Sequence, residues 1–393
     1  MEKYFDNIFE KCDKIGKPDL WYKAREYVMS RVLPIDGDGI GPDSGNHVHI
    51  VVDSIEEEMM AVVRQLCLLA HYPNFDEASG ANRTVITFCT DKITKKENLF
   101  EGNFKTVPFG NLLEHCIWTI KDKKGTELDK QSFSHTQNDY FPIDIEFEFI
   151  NQGIDQYTEG EKECFRKILT SEVKEYFDKD LKPSEGIDIS KGMLVNMVYY
   201  TGATIDNLPA CDNENVARYS TALNVFCYNL KWEEIEKTWK KSAEQQDDGS
   251  YRKLDIKNQL SSIFCADCFE SRLKGILETK NKTVYEYLLY DFETVMEKLR
   301  DQKTINALVR CEHARWNVER LIMGFKPLEK QELYEIECLF GQERKDKIKK
   351  YKKALKHIDL CSNKDLRRLN PADVKYDYFL MLAMPQIVLS SIR

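Results

Sequence analysis

Two short apolar runs with a helical segment between them constrain the fold of this chain most. The runs are HVHIVV (47–52) and RTVITFCT (83–90), and the segment between them is IEEEMMAVVRQLCLLAHY (55–72). Ser54, with Glu57 three positions later, predicts a capping box at the start of that helix. A strand–helix–strand unit normally crosses over right-handedly and builds a parallel sheet. The sequence therefore predicts an α/β fold with a Rossmann-like, mostly parallel sheet.

Further segments continue this pattern downstream. Three more strands are predicted, at CIWTI (116–120), DIEFEFI (144–150) and MLVNMVYY (193–200). EGEKECFRKILTSEVKEYF (159–177) has the spacing of a helix between two of them. We therefore assign residues 46–241 to one Rossmann-like α/β domain.

The flanking segments differ from this domain in composition. Residues 1–45 are predicted to be a helical lead-in and a turn-rich connector, and residues 242–255 form a polar linker. Residues 256–393 are predicted to be mainly α-helical. Consecutive helices are expected there over residues 256–276, 282–300 and 302–324.

Composition excludes several classes of protein. A net charge of −9 disfavours a general nucleic-acid coat. No apolar run reaches the roughly 18 residues of a membrane-spanning helix, and the first residues lack the apolar core of a signal peptide. The 12 cysteines follow no regular framework, which favours reduced thiols. We expect a cytoplasmic protein without direct membrane insertion.

The first strand lacks the glycine-rich turn that binds a dinucleotide. Asp53-Ser54-Ile55-Glu56-Glu57-Glu58 follows it, and three successive acids would repel a phosphate. The glycine cluster Gly37-x-Gly39-x-Gly41 precedes the strand and is therefore at its wrong end. No cofactor is predicted.

A Rossmann-like sheet still offers a crevice at the carboxyl ends of its strands. The residues expected there are Asp53, Ser54, Thr90, Asp91 and, in the loop after the predicted strand 193–200, Gly202, Thr204, Asp206 and Asn207. Two interpretations of that loop stay open, namely an ordinary turn with a helix cap and a loop that binds a small ligand.

The usual signatures of catalysis and of metal binding are missing from the sequence. It contains no P-loop, no H-E-x-x-H and no G-x-S-x-G. Cys265 and Cys268 form a single CxxC without a second pair of ligands, so they are predicted to be buried helix cysteines. No catalytic residue and no metal site are predicted.

The most informative segment is NALVRCEHARWNVERLIMGFKP (306–327). On a helix, Glu312 falls on an apolar stripe beside Trp316, where an unpaired carboxylate would be costly. Its partner is expected to be Arg315, Arg320, His357 or a ligand group. Arg315–Glu319 and Trp316–Arg320 are i,i+4 pairs, and Gly324 is expected to end the helix.

Glu312-His313-x-Arg315-Trp316 followed by Gly324-Phe325 resembles the E-H-x-R-W…G-W/F hallmark of the RyR domain, named for repeats in ryanodine receptors. The likeness extends to Lys356–Leu360, to Leu366 and to Lys375-Tyr376-Asp377. Upstream, the stretch 258–274 resembles the helix that precedes this domain in bacterial proteins with a TrkA-like Rossmann domain first. Phe325 stands where Trp is common, and Cys361-Ser362-Asn363 replaces a hydrophobic–Pro stretch.

The resemblance implies a sensor of a nucleotide-derived ligand, with the RyR-like domain at about 300–393. A nucleobase would stack on Trp316 or Phe325, and cations would neutralise phosphate. The ligand-binding candidates are Glu312, His313, Arg315, Trp316, Arg320, Phe325, Lys326 and His357. The alternative is that Glu312, His313, Arg315 and Trp316 only hold the helices together. The basic run ERKDKIKKYKKALK (343–356) is either a solvated helix face or a rim that attracts an anion.

Three functions follow from these observations. The first is a sensor, in a homo-oligomer, that signals in antiviral defence or stress through a change of assembly or of a partner protein. The second is an enzyme acting on a nucleotide or NAD-like substrate, with Asp53, Asp91, Glu146 and Asp206 as candidates. The third is a regulatory subunit of a channel or another protein. Nucleic-acid binding is disfavoured because only Tyr351 interrupts the basic run.

Overall fold

The structure is a computed structural model that describes residues 18–99, 109–133, 143–157, 163–179, 192, 195, 256–277, 279 and 282–390. The predicted loop residues Gly202, Thr204, Asp206 and Asn207 lie outside the described residues. The predicted strand 193–200 does so too, except for Val195, which is helical and buried.

The amino-terminal half contains a six-stranded sheet, as the strand–helix–strand pattern predicts. Its strands are β1 (His47–Val52), β2 (Thr84–Cys89), β3 (Ile117–Lys121), β4 (Glu127–Gln131), β5 (Ile145–Ile150) and β6 (Glu163–Ile168). The order across the sheet is β4-β3-β5-β2-β1-β6, and every neighbouring pair is parallel except β3 with β4. The fold is therefore α/β with a mostly parallel, Rossmann-like sheet.

The helical prediction for 159–177 is wrong over residues 163–168. Glu163–Ile168 forms β6, which pairs in parallel register with all six residues of β1, and a helix follows only from Thr170. Charged residues in ECFRKI favour a helix locally, but hydrogen bonds to a strand more than a hundred residues upstream decide the conformation.

Five helices are described in this half of the chain. They are α1 (Pro18–Tyr27), which continues as a π-helical turn (Val28–Val32), α2 (Glu57–Leu69), α3 (Lys96–Leu99), α4 (Phe109–His115) and α5 (Thr170–Phe177), with a 3₁₀ turn at Ile154–Gln156. The capping prediction for Ser54 is wrong by two residues, because Glu56 is the N-cap of α2. Ser54 contacts the start of α5 instead.

The carboxy-terminal half is helical, as expected, although two of the predicted helices are each divided in two. The elements are α6 (Ile256–Asp267), α7 (Phe269–Leu277), α8 (Val284–Tyr290), α9 (Phe292–Arg300), α10 (Gln302–Ile322), β7 (Lys326–Pro327), α11 (Lys330–Glu337), α12 (Gly341–Lys353), β8 (Lys356–His357), α13 (Asn363–Leu369) and α14 (Pro371–Ser390). Gly324 follows α10 with φ 85°, so the prediction that it ends the helix is confirmed.

The two halves share one hydrophobic core. Trp21 of α1 packs edge-on against Phe264 of α6, with ring centroids 5.7 Å apart. Val318 and Leu321 of α10 belong to the same buried cluster as the central strands. A second cluster lies among the helices of the carboxy-terminal half and includes Leu308 of α10. Helix α10 therefore contributes to both cores.

The loop that contains Gly39 and Gly41 packs closely against helix α7. Gly39 has φ 105°, and a Cβ atom there would lie 2.6 Å from the carbonyl oxygen of Lys274. A Cβ atom on Gly275 would overlap the carbonyl group of Ile40, whose carbon would be 2.8 Å away. Ser271 donates a hydrogen bond to Asp36 at 3.0 Å. The glycine cluster thus permits a close backbone approach within the protein.

No helix among the described residues has both the length and the apolar character needed to cross a bilayer.

Candidate functional site

The carboxyl ends of β1 and β6 are joined by hydrogen bonds within the protein. Asp53 Oδ1 accepts from the backbone N–H of Thr170 at 2.8 Å and from its hydroxyl, and that hydroxyl also lies 2.7 Å from Ser54 Oγ. Asp53 therefore accepts a hydrogen bond from the first backbone N–H group of α5. Asp91 is exposed, and Glu146 is the second residue of β5, near the opposite end of that strand.

A chain of four alternating charges lies in the interior of the helical half. Its members are Arg272, Glu312, Arg315 and Glu319, each at most 1 % exposed. Arg272 donates to Glu312 at 2.7 Å, and Arg315 donates to Glu312 at 2.8 Å and to Glu319 at 2.6 Å. The prediction that Arg315 is a partner of Glu312 is confirmed, and Arg272 of α7 is a second partner.

These ion pairs fix the charge of Glu312. Burial alone would raise the pKa of its carboxyl, but the guanidinium groups of Arg315 and Arg272 outweigh burial and lower the pKa to about 2. Glu312 and Arg315 are thus held by protein groups, and they connect α10 with α7.

Trp316, one turn further along α10, is half-buried and surrounded by cationic and aromatic groups. The guanidinium carbon of Arg320 lies 5.1 Å from the centroid of the indole ring, as the i,i+4 spacing predicts. His357 meets the ring edge-on at 5.0 Å, and His313 stacks with it at 6.1 Å. Phe325 packs against His357 at 5.9 Å, so these side chains fix the orientation of the indole.

A cavity of about 110 Å³ opens beside the indole, between α10, the segment after β8 and α14. It is lined by His313, Trp316, Asp359, Leu366, Asp373, Tyr376 and Asp377. Asn370 donates to Asp359 at 2.9 Å and to Asp373 at 2.7 Å, which holds these two carboxyl groups together. The cavity therefore combines an aromatic face with several hydrogen-bonding groups.

The protonation states of these groups follow from their partners. The Nε2 atom of His313 lies 2.9 Å from the carbonyl oxygen of Cys361, so Nε2 carries a proton. Burial lowers the pKa of His313, which leaves Nδ1 as an acceptor in the neutral ring. Burial and the nearby Glu312 raise the pKa of Asp377 well above its ordinary value, so this carboxyl can donate a proton. The cavity thus offers both donors and acceptors.

The remaining candidates lie around the cavity without lining it. Arg320, 7 % exposed, stacks between Trp316 and Phe325. Burial lowers the pKa of His357 to about 3, so its ring is neutral. Lys326 is exposed and pairs with Glu114 at 3.2 Å. Of the eight candidates, His313 and Trp316 line the cavity.

Sequence analysis missed the acidic lining of this cavity. Asp373, Tyr376 and Asp377 are brought together by the helical spacing of α14, at the start of an otherwise apolar helix. Two acids at i,i+4 before an apolar stretch were the local signal. Asp359 reaches the same place only because Cys361, two residues later, accepts hydrogen bonds from His313 and from Asn317 of α10.

The carboxyl pair of the cavity makes folding stability depend on pH. Burial and the adjacent Asp359 raise the pKa of Asp373 to about 7, whereas an unfolded aspartate titrates near 4. The folded chain binds the extra proton, so this stabilisation is complete below about pH 4 and is lost as pH rises through about 7. Asp373→Asn should flatten that part of the profile, measured as the free energy of unfolding in urea at several pH values.

The matched control is Asp155→Asn, because Asp155 is exposed. Its pH profile should follow that of the unmodified chain. A profile for Asp373→Asn that ran parallel to that of the unmodified chain would show that Asp373 does not hold the proton.

Comparison of the chain with protein-family models, with curated proteins and with solved structures found no match. Among the described residues, no group of three or more His, Cys, Asp or Glu side chains could hold a metal ion.

Proposed function

We propose that the chain is a sensor of a nucleotide-derived small molecule, and that the base of this ligand binds in the cavity beside Trp316. The observation that carries the proposal is the position of a half-buried indole against a cavity with perturbed carboxyl groups. Titratable groups with strongly shifted pKa values in a concave site are candidates for functional residues.

The lining is complementary to the edge of a nucleobase. Bases present N–H donors and ring-nitrogen or carbonyl acceptors in one plane. Asp359 and His313 Nδ1 would accept from the donors, and the protonated carboxyl of Asp377 would donate to an acceptor. Stacking on Trp316 would hold the plane of the base, and Arg320, over the indole ring, would help to fix the orientation of that ring.

The phosphate groups would remain outside this acidic cavity. Lys352, exposed near the end of α12, lies close enough to affect the pKa values of both Asp373 and His357. Lys352 would therefore be placed to contact a phosphate group just outside the cavity. Arg315, which the sequence suggested for this role, is instead paired with Glu312 and Glu319.

Binding would tighten contacts between α10 and α14, the two helices that line most of the cavity. Since α10 also packs in the core of the α/β half, occupancy would stabilise both halves and could change assembly or a partner contact. The RyR resemblance suggests that this sensor is a cytoplasmic, oligomeric protein that acts in antiviral or stress signalling.

The test is binding of ADP-ribose, NAD, ATP and cyclic di- and trinucleotides to the full chain, measured by thermal shift and then by calorimetry. A ligand that binds only the folded state raises its stability. Trp316→Ala should weaken binding by about 5- to 150-fold, since stacking of one base contributes about 1–3 kcal/mol.

The control variant is Tyr290→Ala, which removes another aromatic side chain, 79 % exposed and away from the cavity. It should bind as the unmodified chain does. Equal binding by Trp316→Ala, with folding verified by urea denaturation, would exclude the cavity as the site. Turnover of a bound nucleotide, followed by chromatography, would favour an enzyme over a sensor.

A further inference from the structure

Helix α12 presents a face of exposed lysines, of which the proposed ligand site uses Lys352 alone. Its 13 residues include seven basic and two acidic side chains, in a chain whose net charge is −9. Five lysines of this helix are exposed and have no ion pair within the described ranges, namely Lys345, Lys349, Lys350, Lys352 and Lys353. Unlike these five, Lys347 pairs with Glu335 at 2.7 Å.

Helical spacing places these five lysines on one side of α12. Ile348 and Tyr351 lie on the opposite side, in a small cluster packed below the helix. Arg344 also turns inward and donates to the carbonyl oxygen of Leu369 at 2.6 Å. The outward face therefore carries the five lysines together with the exposed carboxylates of Glu343 and Asp346.

Two exposed aromatic side chains adjoin this face. Phe340 is the N-cap residue of α12 and is 80 % exposed, and Tyr334 of α11 is 62 % exposed. Both lie near the connection between α11 and α12, at one end of the lysine face. The helix that carries the lysines is therefore preceded by two exposed aromatic rings.

We propose that the lysine face of α12, together with Phe340, is a docking surface for an anionic phospholipid membrane. Clusters of four to eight basic residues on a helix are attracted to acidic lipid headgroups, and an adjacent aromatic ring inserts at the interface. Lysine is a hydrated point charge that suits a diffuse anionic surface, whereas phosphate-specific sites favour the arginine fork.

The charge distribution also favours a membrane over a nucleic-acid strand as the partner of this face. Because the rest of the chain carries a more negative net charge than the whole, approach to a negatively charged plane through this face is favoured. A single nucleic-acid strand would need aromatic rings alternating with the cations. Phe340 and Tyr334 lie instead at one end of the face, and Tyr351 is turned toward Glu335.

The experiment is cosedimentation of the full chain with phosphatidylcholine vesicles that contain either no acidic lipid or about 30 % phosphatidylserine. We expect binding to the acidic vesicles alone, weakened by added salt. Lys349→Glu/Lys350→Glu/Lys353→Glu should reduce partitioning by at least about 100-fold, because each lysine contributes about fivefold. Phe340→Ser should reduce it by about tenfold.

The matched control is Lys123→Glu/Lys124→Glu/Lys298→Glu, which makes the same change of charge at lysines exposed elsewhere. This variant should keep most of the binding. Failure to bind the acidic vesicles, or equal loss in both triple variants, would overturn the proposal. So would tighter binding to single-stranded polyadenylate with the same dependence on the α12 lysines. Nucleotide binding at Trp316 is measured separately, so either proposal can fail alone.

Discussion

Arg315→Met is expected to lower the free energy of unfolding by about 3–5 kcal/mol. The substitution removes the group that donates to both Glu312 and Glu319, and neither carboxylate has any exposed surface. Glu312 would then retain Arg272 as a partner, and Glu319 would retain Ser261 at 2.9 Å and Arg320 at 3.8 Å. Urea denaturation followed by circular dichroism measures the effect.

Two variants make this test specific. Arg300→Met breaks an exposed pair with Glu293 at 3.9 Å and should cost at most about 1 kcal/mol. Replacing Arg272, Glu312, Arg315 and Glu319 together by methionine should recover much of the stability, because all four buried charges of the network are then removed. A loss below about 1 kcal/mol for Arg315→Met would mean that the network contributes little to stability.

The same network predicts sensitivity to acid. The folded-state pKa of Glu312, about 2, lies below its value in the unfolded chain, so its contribution is present above about pH 4.5. That contribution is lost as pH falls toward 2. This trend is opposite in sign to that of Asp373, whose contribution is lost as pH rises.

Gly275→Ala is expected to lower the free energy of unfolding by about 3 kcal/mol or more. The new Cβ atom would overlap the carbonyl group of Ile40, and both partners are backbone. Relief requires the loop at 36–41 to move away from α7, which also separates Asp36 from Ser271 and Lys274. Urea denaturation and limited proteolysis at this loop measure the change.

Gly110→Ala is the matched control. Gly110 lies within α4, and a Cβ atom there meets nothing within 4 Å. Alanine is the better helix former, so this variant should be neutral or about 0.5–1 kcal/mol more stable. Similar unfolding midpoints for the two variants would show that the loop does not pack tightly on α7.

Local patterns predicted the parts of the fold that depend on neighbouring residues. The strands at 47–52 and 84–89 and the helix between them follow from apolar spacing, and Gly324 ends its helix as expected. The strand at 163–168 was missed because its partner, β1, is distant in sequence. Pairing of this kind is a tertiary effect that local propensity does not contain.

The same distinction applies to the candidate site. The burial of Glu312 and its pairing with Arg315 were predictable from positions on one helix. Arg272 was not, since it comes from α7, 40 residues upstream. The cavity itself required α14 to cross α10, so its carboxyl groups could be identified as lining residues only from the fold.

Helix α10 runs through both hydrophobic cores, with Leu308 in one and Leu321 in the other. Neither half of the chain is consequently a self-sufficient module, although a polar segment separates them in sequence. Recombination within residues 242–255 would separate the sheet from helix α10 and so leave the core around the sheet incomplete. The two halves of the chain are therefore expected to be inherited together.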